Sequence, residues 1–124
     1  LLGAGVQAAT EMGQPQCIFV VDASGETLAS VRMTGAKYLS MLSARSKART
    51  AASIGAPSSA VPEAMAAGLA RATQGAVTRL TGGLPIYIEG QLVGGIGIGS
   101  GSPDQDLKVA QHAIAAIGAK SERA

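Results

Sequence analysis

Gly90–Asp106, GQLVGGIGIGSGSPDQD, is the stretch on which the fold turns. It reads as a strand that enters a glycine-serine loop and passes straight into a capped helix. Ser102 takes the N-cap, Pro103 the first helical position, and Gln105 stands three residues after the cap, which together make a capping box with the preferred proline. Gly97, Gly99 and Gly101 leave the preceding backbone bare and approachable, so the segment predicts a small pocket at a sheet edge.

A glycine loop before a helix N-terminus invites a phosphate. Charge argues against one here. Asp104 and Asp106 lie in the first helical turn, and no Lys or Arg lies between Arg79 and Lys108. The spacing matches neither a P-loop nor a dinucleotide fingerprint. The two acids suit the helix dipole. A hard-cation site from Asp104, Asp106 and Ser100 is a weaker reading, because two carboxylates are few for such an ion. No metal is assigned.

Outward from this stretch, Leu84–Ile88 and Gln91–Ile98 read as strands joined by a tight turn at Glu89-Gly90. Gln16–Asp22 is a β-branched run read as a buried strand. The turn Asp22-Ala23-Ser24-Gly25 returns it into Glu26–Arg32, a second hairpin. Helices are predicted over Leu1–Gly13, Gly35 to about Ser53, Pro62–Ala72 and Pro103–Gly118. Thr78–Gly83 reads as a loop or a short strand. Consecutive hairpins imply an antiparallel sheet in an α/β (α+β) domain, not βαβ units.

The 124 residues favour one domain over 1–124. Apolar residues make up 47% and aromatics 2%, so the core must come from Ala, Val, Ile and Leu. Such a core buries less area per residue, and the chain is expected to lean on self-association. A net charge of +2, with one Phe, two Tyr and no Trp, provides no platform for nucleic acid. No run approaches a membrane span, so no membrane partner is expected. The single cysteine, Cys17, excludes an internal disulfide and suits a reducing, cytoplasmic setting. A secreted form stays open because the chain begins at Leu1 without a Met.

Lys37, Arg45, Lys47 and Arg49 form a basic stretch without an acid. It is read either as a solvated face or as a base that, with Arg32, meets a ligand carboxylate. Lys47 is placed on the far side of the stripe Ala44, Ala48, Ala51 and Ala52. With Leu107, Ala110, Ile114 and Ile117 as the buried stripe of the last helix, His112 falls on the exposed side. One His and one Cys make a zinc site or a Ser-His-Asp triad improbable. Cys17 reads as core, and Tyr38 and Tyr87 as core residues or oxygen donors.

Four stretches together resemble the haem-degrading, GlcG/HbpS-like family, which includes the C-terminal domain of PduO-type proteins. They are Val20–Gly25 with Arg32–Ala36, Lys47–Ala51, Gly82–Ile86, and Gly94–Gly101 with Asp106 beyond. The resemblance spans nearly the whole chain. It implies a profilin-like fold with a five-stranded antiparallel sheet flanked by helices, and homo-oligomers. In some members it implies haem or corrinoid-linked binding, with haem degradation proposed, and other members accompany catabolic enzymes. By position it marks Arg32, Lys47, Thr50, Gly82, Gly83 and Ser100 as ligand-binding candidates, and the acid beyond the loop adds Asp106. Some relatives ligate haem iron through a histidine near the N-terminal helix, and this chain has none there; a Thr, Met or Tyr ligand, or a ligand held without iron coordination, stays open. The expected function is binding or degradation of haem or a related tetrapyrrole. The alternative is an enzyme on a small organic acid, with Lys47 or Asp106 moving a proton.

Overall fold

The computed structural model describes residues 1–123. The elements run α1 (Leu2–Met12), β1 (Cys17–Asp22), β2 (Thr27–Arg32), α2 (Ser40–Ile54), a 3₁₀ turn at Ser58–Ala60, α3 (Glu63–Ala72), β3 (Gly83–Ile88), β4 (Gln91–Gly99) and α4 (Pro103–Ala116). The strands form one antiparallel sheet in the order β2-β1-β4-β3. Both hairpins form as expected, and β1 pairs with β4 at the centre. The α2 helix starts later than its sequence predicts, because residues 34–39 are spent on turns.

The sheet has four strands where the family resemblance implied five. Thr78–Thr81 forms no strand, and β3 begins at Gly83, after Gly82 has accepted the Ile98 N–H at 3.0 Å. Among the described residues, the edge beyond β3 is met only by Lys120, which exchanges backbone hydrogen bonds with Tyr87 of 2.8 and 3.0 Å. Gly118 turns the chain with φ +72° just after α4, leaving a single bridge instead of a strand.

Strand alternation divides the core between the two faces. Ile18, Val20, Leu84, Ile86, Ile96 and Ile98 point to one face and pack with Ala8 and Ala9 of α1 and Val109, Ala110, Ala113 and Ile114 of α4. Cys17, Phe19 and Val21 point to the other, against Ala44, Ala48 and Ala52 of α2. Full burial of Ile18, Ile96 and Ile98 contributes about 1.5–3 kcal/mol each. In α4 Ala110 and Ile114 of the expected stripe are buried, but the buried face extends to Asp106, Val109 and Ala113, while Ile117 is 45% exposed. His112 is exposed, as its position predicts.

The alternating glycines of β4 explain the closeness of α2. A Cβ on Gly99 would meet the carbonyl oxygen of Ser40, one on Gly97 that of Ala44, and one on Gly95 that of Ala48. Every second strand residue therefore lies beneath every fourth helix residue. The open backbone expected to receive a ligand at Gly97 and Gly99 is covered by α2.

Candidate functional site

Lys47 is the residue this close packing places most unexpectedly. It stands three residues after Ala44 and four before Ala51, so it shares their inward face. It is 5% exposed, not beyond the alanine stripe as its charge suggested. Its Nζ donates to the carbonyl of Ile98 at 2.7 Å and to Asp106 Oδ2 at 3.0 Å. Asp106 is 3% exposed and sits in the first turn of α4, whose capping box forms as predicted. Its Oδ1 accepts the N–H of Gly101 at 3.1 Å.

Gln16 completes the group. Its neighbours are both acceptors, which orients its amide nitrogen to donate to Gly99 O at 2.8 Å and to Asp106 Oδ1 at 2.7 Å. Gly82 lies against the pair with φ +126°. A Cβ there would stand 2.8 Å from Ile98 O and 3.1 Å from Lys47 Nζ. Lys47, Gly82, Asp106 and Gln16 thus form one sealed polar knot tying α2, β4 and α4. Among the described residues no buried side-chain nitrogen or oxygen lacks a partner.

Burial pushes the Asp106 carboxyl above its ordinary 3.8, against the opposing hydrogen bond and charge of Lys47 and the N–H of Gly101. Burial likewise raises the Cys17 thiol, with Arg32 lowering it and Asp106 adding to the rise. A raised, buried thiol is a core residue and not a nucleophile.

The remaining candidates divide into loop anchors and rim. Thr50 is buried; its hydroxyl donates to Ala76 O at 3.3 Å and accepts the Thr78 N–H at 3.0 Å. Gly83 donates its N–H to Ser58 Oγ at 3.0 Å, and Ser58 donates to Leu80 O at 2.6 Å. These contacts pin residues 76–83 to α2 through Thr50 and to the 3₁₀ turn through Ser58. Arg32 is exposed at the end of β2, where its guanidinium donates to Ala36 O at 2.9 Å. Ser100 has φ +83°; its hydroxyl accepts the Lys37 N–H at 3.0 Å, and its carbonyl accepts Gln14 Nε2 at 2.9 Å.

Arg32 and Ser100 both grip residues 36–37, which lead into an apolar groove of about 540 Å³ at the start of α2. Lys37, Tyr38, Leu39, Ser40 and Ser43 line it. Tyr38 is 73% and Leu39 60% exposed. Tyr87 is the opposite case, buried with its hydroxyl donating to Gly55 O at 2.8 Å. Reasoning from the sequence missed Gln16, whose partners lie over eighty residues away. It also missed Ser58 and the groove-lining role of Tyr38, although an aromatic beside Lys37 in a chain with so few aromatics was a usable signal.

The fold and site define an α+β domain with α2 on one sheet face, α1 and α4 on the other, and a sealed ion pair behind an open apolar rim. The chain belongs to the HbpS-like family of haem-degrading proteins, whose model matches residues 1–115. It is 37% identical to the corrinoid adenosyltransferase PduO of Citrobacter freundii over 99% of this chain, and it spans 38% of that protein's length. A crystal structure of a PduOC–haem complex is similar with a TM-score of 0.90 and 32% identity, covering 98% of this chain and 91% of that one. A crystal structure of Streptomyces reticuli HbpS, a double mutant, gives a TM-score of 0.82 at 34% identity, covering 94% and 80%. Among the described residues no helix is long and apolar enough to cross a membrane.

Proposed function

We propose that this chain binds a flat tetrapyrrole, haem in the first instance, in the groove at the start of α2. The carrying observation is that the groove is apolar and open, with the cation Lys37 in its lining, whereas the Lys47–Asp106 knot is sealed. A porphyrin offers an apolar face and two carboxylates. Leu39 and the Tyr38 ring would lie against the face, and Lys37 and Arg32 are the cations beside the groove for the propionates. The Tyr38 phenol would meet the iron, since tyrosine is a known haem ligand and the N-terminal helix has no histidine. Haem bound there supplies a coordinating iron; the protein supplies orientation and a partly dry wall.

Arg32 and Ser100 of the candidate set support this reading by holding the loop that forms the groove. Lys47, Thr50, Gly82, Gly83 and Asp106 support it from behind, by fixing α2 to the sheet. An enzyme on a small organic acid would need Lys47 or Asp106 to reach a substrate, and the pair is enclosed.

Haemin titration of the purified chain tests the proposal. The expected result is a saturable Soret change at one equivalent per subunit, with Tyr38→Phe altering the visible bands of the bound species. A linear, non-saturating response contradicts it. Hydroxocobalamin in the same titration separates a porphyrin preference from a corrinoid one.

A further inference from the structure

A cavity of about 600 Å³ opens beside the C-terminal half of α2, and none of the site candidates lines it. Two loops distant in sequence converge there. One is the β1–β2 turn, where Asp22 Oδ1 accepts the N–H of Ser24 at 2.9 Å and that of Glu26 at 3.0 Å. The other follows α3, where Thr73 Oγ1 accepts the Val77 N–H at 3.0 Å and Ser46 of α2 donates to Gly75 O at 2.6 Å. Both walls are therefore held within the chain, which lowers the ordering cost of binding.

Arg49 is the one charged residue in the lining. It is half-buried, and its Nε donates to Gly25 O at 3.2 Å, which fixes the guanidinium against the turn. Among the described residues no group accepts a hydrogen bond from its terminal nitrogens, and no carboxylate pairs with it. Asp22 and Glu26 are the acids of that turn, and neither lines the cavity. Arg45, one turn earlier on α2, is exposed and adds to the positive potential. Ser53, one turn later, brings a hydroxyl, while Ala52, Val77 and Leu92 bring apolar surface. An arginine fork matches a carboxylate, and one cation suits a single anionic group. The apolar wall suits an organic body, which inorganic phosphate lacks.

We propose that this cavity is a second small-molecule site, which binds an organic monocarboxylate with its carboxylate on Arg49 and its hydrocarbon body against Ala52, Val77 and Leu92. Ser43 of the groove and Ser53 of the cavity stand on the same helix, about 15 Å apart along its axis. The two sites therefore stand or fall separately.

Amide and Arg49 Nε–H chemical shifts of the labelled chain, titrated with hexanoate, test it. Saturable shifts centred on residues 23–25, 49–53 and 73–77 are expected. Hexanamide, the neutral isostere, and inorganic phosphate should each bind at least about 10-fold more weakly. Arg49→Gln should weaken hexanoate binding by about 10-fold or more. Ser53→Asp should do the same with Arg49 kept, because its carboxylate lies at i+4 and occupies the guanidinium. Ser53 is exposed, so that variant should melt as wild type does, and it carries the test if Arg49→Gln lowers Tm. No saturable hexanoate shift, or shifts centred elsewhere, overturns the proposal. So does a folded variant that binds hexanoate as wild type does, or phosphate or hexanamide binding as tightly as hexanoate.

Discussion

Replacing Lys47 by Met isolates the knot behind the groove. The substitution keeps the length of the side chain and removes its charge. Asp106, at 3% exposure, then keeps the Gly101 N–H and the Gln16 amide but loses the cation paired with it. Removing one partner of a buried pair costs about 3–5 kcal/mol. For a domain of this size that is a fall in Tm of about 10–20 °C. Because burial already raises the Asp106 carboxyl and Lys47 opposes the rise, Lys47→Met should raise it further. A group with a raised folded-state pKa favours folding most below its ordinary value, and that contribution is lost as pH rises through the elevated one. The gap between wild type and Lys47→Met should therefore widen from pH 5 to pH 8. At pH 8, Lys47→Met/Asp106→Asn should be more stable than Lys47→Met, since no orphaned charge remains. Urea denaturation across this range reads all three effects. A loss below about 1 kcal/mol at pH 8, or a double variant no better than the single, would refute the pairing argument.

Two further outcomes follow from the packing. Gly97→Ala would put a methyl group against the carbonyl of Ala44, so it should lower stability by about 1–3 kcal/mol or more in a thermal melt, and a neutral result would mean that α2 does not lie so close. Cys17 is fully buried with a raised thiol, so a thiol reagent should label the native chain only at the rate of opening, and rapid native labelling would contradict its core position.

The local grammar of the sheet was legible in the sequence. The β-branched run of β1, the turn Asp22–Gly25 and the Ser102–Gln105 box each act over a few residues and appear where they were expected. The missing fifth strand and the burial of Lys47 depend on contacts across the chain. Thr78 and Leu80 are held by Thr50 and Ser58, which lie more than twenty residues away, instead of by a neighbouring strand. Lys47 reads as solvated until Asp106, fifty-nine residues on, is placed opposite it. The glycines of β4 signalled close approach correctly, but not that the approaching body is α2. Of the site candidates, Lys47, Gly82 and Asp106 come together in the structure, and Arg32 and Ser100 lie apart from them at the rim. This division into a sealed knot and an open rim was not legible, because it depends on which face of α2 meets the sheet.

A paired haemin titration of wild type and Leu39→Glu tests whether the open rim holds the ligand. Leu39 is 60% exposed in the groove, so a carboxylate there should leave the fold intact while opposing an apolar, anionic ligand. Saturation at one equivalent per subunit in wild type, weakened about 10-fold or more by Leu39→Glu at unchanged Tm, is the predicted result. Equal binding by both proteins, or no saturable binding by wild type, would contradict it.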